Sequence, residues 1–288
     1  MIDKKNILVR VAEWAAGSLP ASVKRLFYKI PFVSRMIRQS LNASLPQGIH
    51  EVEIAGGTLS GMRMALDLQR EKDYWLGTYE PNLQDAARKF IQPGMVVYDV
   101  GANIGYISLI AAKLAGESGS VYAFEALPKN AARLRENIRI NQLADRVPVF
   151  EGAVAGKSGI ISFLVHESGA MGKAAGSAGR VADYSSTLEV PSVSLDDFVY
   201  RMGNPGPDVI KMDIEGGEGQ ALTGMQRLLK ECAPVLLIEL HGEEAARQVW
   251  TIFKNADYII YKMAKNYPNI ESLDDLGWKA YVAALRPK

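Results

Sequence analysis

Two short segments of this chain carry glycine and acidic residues at a spacing that could bind a nucleoside. In the first, an apolar run ends at Asp99, and Gly101 and Gly105 precede a helical apolar pattern. Glycine permits a tight turn and lets a ligand approach the backbone closely. A second apolar run, about twenty residues later, ends at Glu125, where a carboxylate can accept hydrogen bonds from both ribose hydroxyls. This pattern predicts a strand, a turn and a helix that bind the nucleoside part of a cofactor.

The spelling of the turn distinguishes two classes of nucleotide cofactor. A dinucleotide fingerprint has the form G-x-G-x-x-G and places a pyrophosphate at a helix N-terminus. Residues 101–105 of this chain read G-A-N-I-G, with Asp99 just before them. A carboxylate would repel a pyrophosphate, whereas S-adenosylmethionine carries a sulfonium and an ammonium group and no phosphate. The residues therefore favour S-adenosylmethionine, and the structural alternative is an ordinary strand-to-helix turn with a solvated Asp99.

A second group of polar residues follows two later apolar runs. Asp213 and Glu215 follow the first of these runs. Glu239 and His241 follow the second. Because the carboxyl ends of parallel strands face the ligand crevice of an open α/β sheet, we expect these side chains to meet. They could accept a proton from a substrate hydroxyl or hold a divalent cation, unless Glu215 or Glu218 only caps a helix.

The second group suggests a catalytic assignment. Transfer of a methyl group from a sulfonium is an in-line displacement, in which alignment does much of the work. We assign the general base to His241, because a neutral imidazole titrates near neutral pH. Asp213 and Glu239 would orient it or hold a metal, and Glu215 is a further candidate for the catalytic group.

Apolar runs and helical patterns alternate along the middle of the chain. The predicted strands are 95–100, 119–124, 147–151, 208–213 and 234–240, and the predicted helices are 104–115, 128–141, 218–230 and 243–255. Antiparallel strands near 258–261 and 278–284 would close the sheet. This alternation predicts the α/β class, with a parallel sheet covered by helices on both faces.

The flanking and inserted segments complete the predicted organisation. Residues 46–92 should form a β-hairpin over 49–68 and a helix that pack on the core, and 93–288 should form the main domain. Within it, 159–165 is predicted to be an extra strand. A stretch rich in Gly, Ala and Ser at about 166–188 is predicted to be a flexible loop, either a lid over the site or a plain surface loop.

Charge and cysteine content limit the class of protein. Residues 1–45 contain eight basic and two acidic residues, a net charge of +6, which leaves −5 for the remainder because the chain carries +1. Apolar residues within 1–45 recur at helical spacing, which predicts a basic amphipathic arm. This arm would either lie on an anionic membrane surface or pack on the domain or a second subunit. A single cysteine, Cys232, and the lack of a spanning apolar run favour a cytoplasmic protein, with membrane association through the arm as an alternative.

The motifs together resemble the FkbM family of S-adenosylmethionine-dependent methyltransferases, from about Trp75 to about His241. The segments that carry the resemblance are 77–81 (G-T-Y-E-P), 99–106 (D-V-G-A-N-I-G-Y), 124–130, 137–141, 211–218 (K-M-D-I-E-G-G-E) and 238–241. Where such families have Glu-Pro after the ribose strand, this chain has Glu125 followed by Ala126. The resemblance implies a Rossmann-like class I methyltransferase fold with a seven-stranded, mostly parallel sheet.

The resemblance also implies O-methylation of a hydroxyl on a sugar, a glycolipid, a polyketide or a related natural product. The candidate contacts to the methyl donor are Glu80, Asp99, Gly101, Ala102, Asn103, Gly105, Tyr106, Glu125, Ala126, Asn130, Gly152, Ala153 and Asp213. The expected acceptor is a small molecule or a glycan- or lipid-linked hydroxyl, with no nucleic-acid partner and with a homo-oligomer left open. The alternatives are N-methylation, a nucleotide-binding oxidoreductase and an inactive cofactor-binding scaffold.

Overall fold

The computed structural model describes residues 45–166, 171–177, 184–277 and 280–287. The chain divides into two compact units, one comprising residues up to Pro81 with Arg139–Gln142, the other Asn82–Ile138 and Leu143–Lys288. The predicted basic arm lies outside the described residues, apart from residue 45. In the described part of the chain, we find no helix with the length and apolar character needed to cross a membrane.

The first unit contains the predicted hairpin. Strand β1 (Ile49–Glu53) pairs antiparallel with β2 (Arg63–Asp67), with Val52 opposite Met64. Both of these apolar side chains are buried, while their polar neighbours point the other way, as expected for a strand pair with one apolar face. Helix α1 (Lys72–Trp75) follows. The sequence prediction of a hairpin is confirmed.

The second unit is built on a seven-stranded sheet. The elements after the first unit are α2 (Pro81–Phe90), β3 (Val96–Val100), α3 (Tyr106–Ala115), β4 (Ser120–Glu125), α4 (Pro128–Ile140), β5 (Val149–Glu151), β6 (Ala153–Val154), β7 (Gly159–His166), β8 (Gly172–Ala174), β9 (Tyr184–Val193), a π-helical turn (Asp197–Arg201), β10 (Val209–Met212), α5 (Glu218–Thr223), α6 (Gln226–Glu231), β11 (Val235–Glu239), α7 (Glu243–Asn255), β12 (Ile259–Lys262), α8 (Leu273–Leu276) and β13 (Tyr281–Leu285). The strand order is β12-β13-β11-β10-β3-β4-β5. In this sheet β13 runs opposite to the other six strands, so the predicted mostly parallel sheet is confirmed.

The three central strands, β3, β10 and β11, are buried along nearly their whole length. Such strands are expected to be continuously apolar, because helices cover both faces of a parallel sheet. Three charged residues nevertheless lie in them: Asp99, Lys211 and Glu239. Since buried charges are costly unless they are paired, these three positions mark the part of the sheet where function is expected.

A second sheet of four strands, in the order β6-β9-β7-β8, follows β5. Its side chains Phe163 and Val190 pack against Ala126, Leu127 and Ala153, which come directly after β4 and β5. The second sheet therefore stands at the carboxyl edge of the main sheet, beside the ends of β4 and β5.

The predicted helix 218–230 is wrong, because the structure has two helices, α5 and α6. Gly224 lies between them, and a Cβ at this position would come within 2.5 Å of a backbone oxygen from the segment after β6. The first turn of α6 is capped by another segment of the chain, since Asp196 Oδ2 accepts a hydrogen bond from the backbone N of Arg227 at 3.0 Å. These tertiary contacts override the continuous helical pattern.

Parts of the segment predicted to be a flexible loop, at about 166–188, are strands in the structure. Gly172–Ala174 forms β8, and β9 begins at Tyr184; both pair with β7. The ladder uses backbone groups, so small residues can extend a sheet although they bury little apolar surface. The question of a lid concerns residues 167–170 and 178–183, which lie outside the described residues.

The contact between Gly101 and Asp213 predicts a stability effect. Gly101 has φ +78°, and a Cβ there would lie 1.9 Å from the Asp213 carbonyl oxygen, whereas Gly203 has φ +76° with nothing within 4 Å. Gly203→Ala should cost about 1–2 kcal/mol for the left-handed backbone alone. Gly101→Ala should cost about 1–3 kcal/mol more, because the ends of β3 and β10 must separate. Urea unfolding of both variants measures the difference, and equal losses would contradict this packing.

Candidate active site

The turn after β3 has the shape that its two glycines allow. Gly101 and Gly105 adopt φ values of +78° and +94°, a region that other residues rarely enter. The backbone N–H groups of Gly101 and Ala102 both donate to the carbonyl oxygen of Phe124, at 3.0 and 2.9 Å. The turn is thereby fixed to the end of β4, the strand that carries the predicted ribose acid.

Glu125 is bonded to this turn through its carboxylate. Oε2 accepts from the backbone N of Asn103 at 2.8 Å, and Oε1 accepts from the backbone N of Leu127 at 2.9 Å. Burial raises the pKa of Glu125, while these hydrogen bonds, the charge of Lys211 and a hydrogen bond with Asn130 oppose the rise. Each carboxylate oxygen has a second lone pair, so Glu125 can still accept ribose hydroxyls.

Asp99 lies under the turn and is fully buried. Its Oδ1 lies 3.0 Å from the Lys211 ammonium, and its Oδ2 accepts from the Ser108 hydroxyl at 2.6 Å. The Lys211 charge compensates that of Asp99, so the predicted repulsion between Asp99 and a pyrophosphate is weaker than the sequence indicated. The structure gives Asp99 a role in holding the turn, and its contact with a methyl donor stays a prediction.

The other predicted donor contacts fall into two groups. Tyr106, Ala126, Asn130, Gly152 and Ala153 lie at the carboxyl edge of the sheet, next to the turn. Gly152 donates its backbone N–H to the carbonyl oxygen of Glu125 at 2.9 Å, which ties the end of β5 to β4. Glu80 belongs to the first unit, and its role also stays a prediction.

Four carboxylates surround the imidazole of His241. Its Nε2 lies 3.5 Å from Glu239 Oε1 and 3.8 Å from both Asp213 Oδ1 and Glu215 Oε2. Its Nδ1 lies 3.0 Å from Glu218 Oε1. The structure thus brings together all four residues that were predicted to be catalytic, together with one that was not.

Glu218 is the member that the sequence assigned only to a helix cap. It is the first residue of α5 and is fully buried. Its Oε1 accepts from the backbone N of Gly216 at 3.0 Å and also contacts His241 Nδ1. Glu218 therefore binds the backbone of the turn that precedes α5 and orients the ring, which directs Nε2 towards the other three carboxylates.

Exposure separates the members of this cluster. The side chains of Asp213 and Glu215 are 23% and 27% exposed, whereas that of His241 is 4% exposed. Asp213 also donates its backbone N–H to the carbonyl oxygen of Val100 at 3.1 Å, directly beside the glycine turn. A substrate would therefore meet the Asp213 and Glu215 carboxylates before the imidazole.

The surroundings of His241 do not favour the neutral imidazole that the sequence predicted. Burial alone lowers the pKa of His241, but hydrogen bonds to Glu218 and Glu239 and the charges of Glu218 and Asp213 raise it to about 10. A ring with this pKa is protonated at neutral pH and cannot accept a further proton. In this arrangement His241 acts as the cation that holds the carboxylates together.

The same residues also form a set that could hold a metal ion. Asp213, Glu239 and His241 each offer one ligand atom, and these atoms lie within 4.8 Å of one another. Carboxylate oxygen and imidazole nitrogen are ligands for several divalent metals. Glu218 on Nδ1 is the kind of outer partner that orients a metal-binding histidine. The donor set fits a divalent cation.

The chain is similar in sequence to known methyltransferases. The model of the methyltransferase FkbM domain matches residues 99–260, more than half of the chain. Hexuronic acid methyltransferase AglP of Haloferax volcanii is 27% identical over 205 residues, which cover 69% of this chain and 79% of that protein. The 2-O-methyltransferase NoeI of Sinorhizobium fredii is 29% identical over 152 residues, covering 48% of this chain and 60% of that protein.

Two further similarities are of the same kind. The 31-O-demethyl-FK506 methyltransferase FkbM of Streptomyces tacrolimicus is 28% identical over 162 residues, covering 47% of this chain and 61% of that protein. The crystal structure of methyltransferase FkbM from Methylobacillus flagellatus KT is 18% identical, covers 88% of this chain and 59% of that chain, and has a TM-score of 0.44. The region matched by the family model, residues 99–260, contains both the glycine turn and the carboxylate cluster.

The raised pKa of His241 can be measured directly, because the chain has only three histidines. In metal-free protein we expect the ¹⁵N signals of the His241 ring to remain those of an imidazolium up to about pH 9, since its pKa is about 10. The spectrum of His241→Asn identifies these signals. Glu218→Gln should lower the pKa, because it removes a negative partner. A midpoint near the ordinary value of about 6.5 in the parent protein would contradict the assignment.

The same shift predicts how stability depends on pH. A group whose pKa is raised on folding contributes stability below its unfolded pKa and loses it as the pH rises through the folded pKa. The contribution of His241 should therefore be complete below about pH 6.5 and disappear as the pH rises towards about 10. Urea unfolding of the parent and of His241→Asn across this range should converge at high pH.

Proposed function

We propose that this chain, which belongs to the methyltransferase FkbM domain family, transfers a methyl group from S-adenosylmethionine to a hydroxyl of a sugar or related natural product. The observation that carries the proposal is the contact between the glycine turn and Asp213: a Cβ on Gly101 would lie 1.9 Å from the Asp213 carbonyl oxygen. A donor held on the turn would therefore lie beside the carboxylate cluster.

Glu125 is the proposed ribose ligand in this mechanism. It ends β4, faces the turn and keeps acceptor capacity beyond its two backbone hydrogen bonds. Gly101, Ala102 and Asn103 bring backbone groups close to the donor, since the first two lack bulky side chains. The donor residues that the sequence predicted at this edge, including Gly105, Tyr106 and Asn130, line or support the same turn.

Asp213 is the proposed proton acceptor. In the displacement, the hydroxyl oxygen forms a bond to the methyl carbon as the bond from carbon to sulfur breaks, so the hydroxyl proton must pass to a nearby base. Asp213 is partly exposed and adjoins the turn, whereas His241 is buried and protonated. His241 and Glu239 then act by holding Asp213 in position, and Glu215 is the second exposed carboxylate.

A divalent cation is the second candidate for activating the hydroxyl. Asp213, Glu239 and His241 would hold it, since their ligand atoms already lie within 4.8 Å of one another. When bound, such a cation supplies Lewis acidity, which lowers the pKa of a coordinated hydroxyl. His241 would then be neutral, with its Nδ1–H donating to Glu218 and its Nε2 free to bind the cation.

The acceptor class is inferred from the relatives. One of the three curated relatives is named for hexuronic acid, and the names of the other two specify oxygen positions, so a hydroxyl of a sugar or natural product is proposed here. N-methylation is the alternative. Residues 1–45 remain the proposed arm for an anionic membrane surface or a second subunit.

Glu125→Gln tests the donor site. Loss of a charge-assisted hydrogen bond is worth about 1.5–3 kcal/mol, so affinity for S-adenosylhomocysteine should fall roughly ten- to a hundred-fold by titration calorimetry. Glu151→Gln is the matched control, because Glu151 lies opposite Glu125 in the register of β4 and β5 but pairs with Arg135 at 2.6 Å. Unchanged affinity in folded Glu125→Gln would remove Glu125 from the donor site.

Asp213→Asn tests the chemistry. With labelled S-adenosylmethionine and fractionated polar lipids, glycans and small metabolites as acceptors, methyl transfer should fall on the order of a hundred-fold or more, because the general base is lost. Affinity for S-adenosylhomocysteine should stay near the parental value. Glu215→Gln should lower transfer less than ten-fold, since Glu215 is not the proposed proton acceptor. Parental turnover by Asp213→Asn would contradict the assignment.

The same methyl-transfer assay also tests whether a metal is required. If a chelator abolishes transfer in the parent protein and magnesium or manganese restores it, the metal mechanism replaces direct proton transfer to Asp213.

The chemical stability of the product identifies the methylated atom. Mild alkali releases the label as methanol from a methyl ester but not from a methyl ether. Label that resists alkali and is carried on carbon-bound oxygen supports the proposed hydroxyl acceptor, and label on nitrogen contradicts it.

A further inference from the structure

Lys211 is a buried lysine in the apolar strand β10, and the proposed methyl transfer makes no direct use of it. Its side chain crosses to the end of β3. The ammonium group lies 2.7 Å from the carbonyl oxygen of Gly101, 3.4 Å from that of Val100 and 3.0 Å from Asp99 Oδ1. The ammonium therefore donates hydrogen bonds to the two carbonyl oxygens and forms an ion pair with the Asp99 carboxylate.

These contacts all fall on the glycine turn or directly before it. Lys211 and Asp99 are paired in register on adjacent parallel strands, so their main chains are already fixed by the sheet. The Lys211 side chain adds a hydrogen bond to the carbonyl of Gly101, one residue beyond the last residue of β3. Ser108 extends this hold to α3, since its hydroxyl donates to Asp99 Oδ2 at 2.6 Å.

Lys211 also supplies positive charge to two buried carboxylates. It forms an ion pair with Asp99, and its charge favours the ionised form of Glu125. The latter is the carboxylate proposed to accept the ribose hydroxyls, and it accepts them best when ionised. One cation therefore affects both the shape of the turn and the charge of the residue that faces the ribose.

We propose that Lys211 is a positioning residue for the methyl donor: it fixes the carbonyl of Gly101 and neutralises Asp99 beneath the turn, so that the turn is already in the shape that binds the donor. The inference rests on the proposed function only in that S-adenosylmethionine binds at this turn, and it does not depend on the acceptor. It adds to the donor site a residue that contacts no reacting group.

The test compares three variants by calorimetric titration with S-adenosylhomocysteine and by thermal unfolding without ligand. Lys211→Met combined with Asp99→Asn removes both charges, so that no buried charge is left unpaired. We expect this double variant to fold and to bind S-adenosylhomocysteine at least ten-fold more weakly than the parent. Lys211→Arg keeps the charge and N–H donors, so it should lose less affinity than the double variant.

Lys173→Met is the matched control, because Lys173 is a similarly buried lysine in β8 of the second sheet. It should bind S-adenosylhomocysteine like the parent. Parental affinity in the folded double variant would overturn the proposal, and so would equal losses in Lys211→Arg and the double variant. Failure of both to fold would also overturn it, because Lys211 would then serve folding rather than the turn.

The experiment separates this proposal from the proposed function. If the parent protein does not bind S-adenosylhomocysteine, the donor assignment itself is wrong, whatever the variants do. If the parent binds it but no hydroxyl acceptor is methylated, the proposed acceptor is wrong while the comparison of the Lys211 variants still stands.

Discussion

The close contact between Gly101 and the carbonyl of Asp213 is the constraint on which the site depends. At this point the ends of β3 and β10 approach so closely that a Cβ on Gly101 would be 1.9 Å from the Asp213 oxygen. The glycine turn belongs to the first of these strands and the carboxylate cluster follows the second. Any shift of one strand end relative to the other would therefore change the distance between the donor site and the proton acceptor.

Buried charged side chains lie on both sides of this contact and help to fix the geometry of the site. On one side of the contact, Lys211 compensates Asp99 beneath the turn. On the other side, His241, whose pKa the neighbouring carboxylates raise to about 10, lies among those carboxylates, with Glu218 fixing its ring through Nδ1. Each group places one basic side chain among carboxylates at the carboxyl edge of the sheet. Such groups are costly to bury unless they are fully paired, so they fix the geometry of the site more strictly than apolar packing alone would.

The sequence predicted the parts of this site that depend on strand ends. Asp213, Glu239 and His241 were expected to meet because each follows a strand of a parallel sheet, and the structure brings them together. Glu125, the proposed ribose ligand, and the two glycines of the turn were likewise predicted to lie at strand ends. The seven-stranded sheet itself followed from the alternation of apolar runs with helical patterns.

What the sequence could not give were properties set by tertiary contacts. The protonation of His241 depends on Glu218, whose position as the first residue of a helix is equally typical of a simple cap. Lys211 gave one signal, a charge within an apolar strand, but its partner Asp99 could be recognised only once the two strands were known to be neighbours. The break at Gly224 and the strand at Gly172–Ala174 likewise depend on contacts with distant segments.

The crystal structure of this protein with S-adenosylhomocysteine tests the central claim most directly, since that claim is that donor and proton acceptor share one edge held by the Gly101–Asp213 contact. Both ribose hydroxyls should lie within about 2.6–3.2 Å of the Glu125 carboxylate, with the sulfur facing Asp213 across a space for one hydroxyl group. A ribose bound away from Glu125, or a sulfur that faces away from Asp213, would contradict it.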